Sequence, residues 1–140
     1  MALTKKANEN LLKEAFMGAA TQLPTQNWYV GLSTSQINTS GSAAPAEPLG
    51  FGYSRVSIPR NATHWAYSSS ENTVTNSVDI NFPVSTGDWG LIQEVFIARA
   101  GISGVADVWF RVSLTPPLFV QGDTVVKFAP NTLVISRENR

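Results

Sequence analysis

The chain has 140 residues, no cysteine, and ten basic against ten acidic side chains, for a formal net charge of zero. Disulfides, thiolate nucleophiles and cysteine-held zinc are excluded, and the absence of any basic block leaves no footing for nucleic acid. Hydrophobic residues reach 43% but charged ones only 14%, against ~25% in an average soluble domain. Neutral polar groups therefore make up much of the surface, which suits a chain packed against neighbours, where desolvating charge is costly.

The length fits one core. No apolar run approaches the ~18 residues of a membrane span, and no apolar stretch with a cleavage site opens the chain, so neither a membrane partner nor a secretory leader is expected. The first element is a helix over residues 4–20. Ala7, Leu11, Ala15 and Ala19 recur every fourth residue, and Leu12 and Phe16 widen the stripe. Thr4 is placed to cap its start and Gly18 to end it. A terminal helix this short needs its apolar face covered. Two coverings stay open: the chain's own core, or a neighbouring subunit on which residues 1–20 dock as an arm.

After Pro24 the texture becomes that of strands, and residues 21–140 read as one β domain. Residues 28–33 (WYVGLS) are aromatic and β-branched and predict a strand. Residues 34–52, rich in Ser, Gly, Ala and Pro, read as a long loop. Such loops are uncommon and are usually functional or mobile. Short strands follow. Residues 53–58 end at Pro59; Val78, Ile80 and Phe82 alternate with polar neighbours up to Pro83; residues 91–98 are nearly continuously apolar, as in a central strand. Residues 105–112 place Ala106, Val108, Phe110 and Val112 on one face and Asp107, Trp109 and Arg111 on the other, and Thr115-Pro116-Pro117 is expected to break that strand. Residues 123–128 and 133–135 complete the set. The expected class is all-β, an antiparallel sandwich or jelly-roll-like domain with one N-terminal helix. No helical crossovers support a parallel sheet.

Catalytic constellations are scarce. His64 is the only histidine, no Gly-x-Ser-x-Gly elbow is present, and Asp79, Asp88, Asp107 and Asp123 are scattered among strands and turns. His64 reads as a locally bonded turn residue, and Asp88 and Asp123, each after a glycine, as turn formers. No catalytic, cofactor-binding or metal-binding residue is assigned. Trp28, Trp65, Tyr67 and Trp89 read either as filler of the core or of a subunit interface, the preferred reading, or as an exposed platform for sugar rings.

A series of segments carries a family likeness: Tyr29-Val30-Gly31-Leu32-Ser33-Thr34, Tyr53-Ser54-Arg55-Val56, Asn61-Ala62-Thr63-His64-Trp65, Asn76-Ser77-Val78-Asp79-Ile80-Asn81-Phe82-Pro83, Thr86-Gly87-Asp88-Trp89-Gly90 and Gln121-Gly122-Asp123-Thr124-Val125. In order and spacing this resembles small structural proteins of tailed bacteriophages, tail-fibre-like or capsid decoration proteins. After the Trp-Gly pair the family often has a Gly-Ile-Phe-Asp-like stretch, where this chain reads Val95-Phe96-Ile97-Ala98-Arg99. The resemblance implies a non-enzymatic virion component. The expectation drawn from it is a capsid decoration, or cement, protein on the capsid exterior. Its partners would be the major capsid protein and copies of itself, as a trimer before a dimer. The alternative is a tail-associated or receptor-binding module facing tail proteins or a host-surface glycan. The residues expected to contact partners are Leu11, Leu12 and Phe16 on the helix and Ile37, Leu49 and Phe51 in the long loop.

Overall fold

The computed structural model describes residues 1–18 and 26–136. Ala19, Ala20 and Pro24 lie outside the described residues. Strand β1 (Ala2–Leu3) leads into helix α1 (Lys5–Met17). Strands β2 (Asn27–Ser33), β3 (Val56–Pro59), β4 (Trp65–Ser68), β5 (Thr73–Asn76), β6 (Ile80–Asn81), β7 (Gly90–Ala98), β8 (Val108–Val120), β9 (Lys127–Phe128) and β10 (Val134–Ser136) follow. They form a five-stranded sheet in the order β1-β8-β7-β2-β3, a three-stranded sheet β10-β5-β4 and a pair β6-β9. Every pairing is antiparallel. The core lies between the large sheet and the smaller ones, where Val30, Leu32, Ile58, Val95 and Ile97 meet Ile80, Phe82 and Leu133. The described residues adopt the expected all-β, sandwich-like class with one helix.

The helix ends match the sequence. The Thr4 hydroxyl accepts from the Ala7 N–H at 3.2 Å, and Gly18 closes the helix with φ 64°. Ala7 is fully buried with Leu3 and Trp109, so the start of the helix is covered by its own chain.

β7 is the central strand that its composition predicts, flanked by β2 and β8. Val95 and Ile97 face the sandwich core, while Phe96 and Ala98 join Ile37 and Val108 on the opposite face. Both faces are buried along residues 95–98, which explains the apolar run there. Phe96 lies across Gly31 of β2, where a β-carbon would overlap its ring.

β8 departs from expectation in two ways. Ile97 pairs with Phe110 but Ala98 with Val108, so Trp109 is an extra residue in a bulge. The bulge turns Val108 and Phe110 to different faces and buries Trp109 completely. The single apolar face expected for residues 106–112 is therefore divided. Nor does Thr115-Pro116-Pro117 end the strand. The ladder is interrupted opposite Gln93 and resumes as Ile92–Leu118, Leu91–Phe119 and Gly90–Val120. β8 is unpaired on its other side there, since β1 reaches only Phe110 and Arg111, so the prolines cost no ladder bond on that edge.

The β4–β5 hairpin and β1 were not foreseen. Residues 69–72 connect the hairpin, and its strands, Trp65–Ser68 and Thr73–Asn76, are only four residues each, too short to show a clear alternation. The Trp89 motif also differs in detail. Trp89 is core, as expected, and its indole N–H donates to Phe51 O at 2.9 Å. Asp88, expected as a turn former, accepts from the Gly122 N–H at 3.2 Å. Gly90 is required by its φ of 89°.

The segment 34–52 is tied down rather than loose. Ile37 is in the core, Thr34 bonds twice to Ala46 O, and Glu47 is buried. The Glu47 carboxylate takes both prongs of Arg55, Nε and Nη2, at 2.9 Å each, with side-chain exposures of only 2% and 0%. Arg55 also donates to Ala100 O at 2.6 Å and Val105 O at 2.9 Å. Glu47 accepts further from the Tyr53 hydroxyl at 2.6 Å and from the Gly104 N–H. Arg55 in addition lies over the Phe96 ring, 5.0 Å from its centroid.

Removing one partner of this pair should be far worse than removing both. Arg55→Met or Glu47→Leu alone should cost about 3–5 kcal/mol in urea unfolding, and the double variant should recover a substantial part. Burial, with Glu47 beside it, pushes the Tyr53 phenol well above its ordinary range. A raised folded pKa means that this contribution is whole below the unfolded value of ~10 and is lost as pH rises beyond it. Wild type should therefore lose stability between roughly pH 10 and 11 more steeply than Tyr53→Phe; parallel slopes in alkaline unfolding curves would count against a buried, neutral Tyr53.

Candidate functional site

The residues expected to meet partners fall into three settings. Leu11 is half-buried beside the Leu3–Ala7–Trp109 cluster. Leu12, Phe16 and Met17 point to solvent from the last helical turns, Phe16 being 84% exposed. Ile37 is buried, so its side chain is not on the surface. Leu49 is 88% exposed, and Phe51 is exposed but seated over Gly87. Val84, Leu91, Phe119 and Val125 are further exposed apolar side chains. Leu91 and Phe119 are directly paired across β7 and β8.

The polar side chains with the clearest chemical potential are engaged in structure. Asp107 accepts from Arg99 at 2.6 and 3.0 Å and pairs with Lys6 at 3.1 Å, pinning α1 to the loop before β8. Glu94, nearly fully buried, pairs with Arg111 at 3.1 Å. The His64 ring lies 2.7 Å from the Asn61 carboxamide oxygen, the local bond expected of it. Asp79 pairs with Lys127 at 3.4 Å on the surface. Among the described residues no group of three or more His, Asp or Glu side chains is placed to hold a metal, and no helix is long and apolar enough to cross a membrane.

The tryptophans divide. Trp89 and Trp109 are buried, whereas Trp28 and Trp65 are half-buried and, with the 66% exposed Tyr67, line one open cleft of about 390 Å³. The cleft opens between two sheets. Trp28 and Phe110 come from the large sheet, and Trp65 and Tyr67 from the three-stranded one. Arg60 and Asn61, from the β3–β4 connection, are also in its wall. Core filler and exposed ring are thus both represented among the four aromatics singled out from sequence. Arg60, Asn61 and Phe110 were missed: Arg60 and Asn61 reach Trp65 through the local turn before β4, whereas only the packing of two sheets brings Phe110 there.

The model of the family described as "Podophage GP4 fiber I protein gp80" matches residues 2–136. The chain belongs to this family. It is therefore a structural protein of a tailed-phage virion. None of the curated proteins compared with the chain matches it.

The division of the tryptophans can be checked by acrylamide quenching. Trp65→Phe should remove most of the readily quenched emission, whereas Trp89→Phe should leave it in place. The reverse ranking would mean that the cleft is closed in solution.

Proposed function

We propose that the chain is a non-catalytic building unit of a phage fibre, attached to the tail rather than spread over the capsid as a decoration protein. The observation that carries this reading is the fibre-family match over residues 2–136. The engagement of Glu47, Glu94, Asp107 and His64 in structural bonds supports the non-catalytic part. The neutral surface, which favours extensive protein contact, serves a fibre as well as it would serve a cement protein.

The partners in this proposal are tail proteins and further copies of the chain, a trimer before a dimer. The exposed end of α1 and the Leu49–Phe51 corner are the contact elements. Leu12, Phe16, Met17 and Leu49 present apolar area that their own chain leaves uncovered. Deleting residues 1–20 is a poor test of these contacts. It would also remove β1 from β8 and strip Leu3 and Ala7 from Trp109, damaging the fold.

Surface substitutions are cleaner. Phe16→Ser and Leu49→Ser should change unfolding free energy by no more than ~0.5 kcal/mol, yet lower incorporation in particles assembled without the wild-type chain. Labelled protein imaged on such particles should decorate tails. Regular density over the capsid faces would restore the decoration reading and overturn the fibre one.

A further inference from the structure

We propose that the cleft walled by Trp28, Trp65, Tyr67 and Phe110 is a saccharide site that holds one pyranose ring against its aromatic wall. The proposal rests on the cleft alone and not on where in the particle the chain sits.

A pyranose has two kinds of surface: faces of C–H groups carrying slight positive charge, and an edge of hydroxyls. The faces suit the negative faces of aromatic rings; the edge needs fixed hydrogen-bonding groups. The cleft supplies both. Its volume of about 390 Å³ is at the small end of the range for small-molecule sites, ~300–1,000 Å³.

Asn61 supplies an oriented donor. Its carboxamide oxygen accepts the backbone N–H groups of Thr63 and His64, both at 3.0 Å, and lies 2.7 Å from the His64 ring. Two backbone donors must face an acceptor, so the oxygen is assigned to that side and the amide nitrogen to the other. That nitrogen donates to none of the described residues. Arg60 is part of the same wall.

The aromatic wall is held before any ligand arrives. The Trp65 indole N–H donates to Pro59 O at 3.1 Å. Trp28 is wedged against Trp109 and Phe110, with ring centroids 5.5 and 5.7 Å away. The Tyr67 hydroxyl donates to Asn72 Oδ1 at 2.9 Å. Rings already ordered lose little freedom on binding. A purely aliphatic occupant would fill the aromatic wall but make no use of the Asn61 amide donor. A phosphodiester chain would find one cation in the lining, Arg60.

The test uses the full chain and a defined panel: glucose, galactose, rhamnose, N-acetylglucosamine and glucuronic acid, each at ~10 mM, a concentration that detects millimolar affinity. Saturation-transfer NMR should show at least one of them bound, with amide shifts confined to the neighbourhood of Trp65, Tyr67 and Asn61. Tyr67→Ala should weaken that binding roughly three- to tenfold by removing a stacking face. Asn61→Asp keeps an acceptor for the Thr63 and His64 N–H groups but deletes the amide donor; it should weaken binding while leaving the unfolding midpoint near wild type. Phe16→Ser, on the helix, should bind as wild type does. The proposal is overturned if no sugar shows transfer, if the shifts map elsewhere, if Asn61→Asp and Tyr67→Ala bind undiminished, or if octanoate perturbs the cleft while every sugar leaves it untouched. None of these outcomes depends on whether the particle carries the chain on tail or shell.

Discussion

The buried Glu47–Arg55 pair is the constraint on which the rest of the architecture leans. Two opposite charges with almost no exposure persist only if nearly every hydrogen-bonding position around them is filled. Here Tyr53, Gly104, Ala100 and Val105 complete the set. The pair therefore joins the segment after β2, the strand region leading to β3 and the connection from β7 to β8. A well-packed apolar replacement of both partners could match its stability. What the charges add is definition: Ser- and Pro-rich backbone acquires one arrangement, because other arrangements leave a charge dry and unpaired.

That arrangement has consequences for the sheet. With Arg55 over Phe96 and Ile37 tucked beside it, the outer face of β7 is covered, and the strand is apolar on both sides. Gly31 leaves room for the Phe96 ring on the neighbouring strand. The covering also leaves Leu49 and Phe51 at the surface, since neither is held inward as Glu47 and Ile37 are. Structural anchoring and surface presentation thus come from the same nineteen-residue stretch, residues 34–52.

The functional surfaces lie where the sandwich is incomplete. At the Trp28–Trp65 mouth the two sheets do not close over the rings between them, leaving an open aromatic cleft. Along the last turns of α1, the apolar stripe outruns the part of the sheet that can cover it: Ala7 is buried and Phe16 is not. In a fibre-family protein, such uncovered area is the natural place for contact with other chains. Charge contributes little to either surface. Many of the acidic and basic side chains are instead paired within the fold, as Glu94 is with Arg111 and Asp107 with Lys6 and Arg99.

While the phage structural family came from a resemblance in the order and spacing of segments, local physical chemistry was enough to read the all-β class, the helix with its Thr4 and Gly18 caps, the central character of residues 91–98 and the core role of Trp89. Each depends on neighbours in sequence: periodicity, capping groups and turn residues act over a few positions. The β4–β5 hairpin escaped because its strands are only four residues each and largely part-exposed, too short to show a clear two-residue alternation. The faces of β8 escaped because a bulge at Trp109 shifts the two-residue alternation, and only the partner strand determines where an extra residue enters. Burial of Ile37 and Glu47, and the meeting of Asn61 with Trp28 and Phe110, were decided by tertiary packing alone. Most of those contacts join residues far apart in the chain, and composition and spacing carry no record of which pairs the folded sheets will bring together.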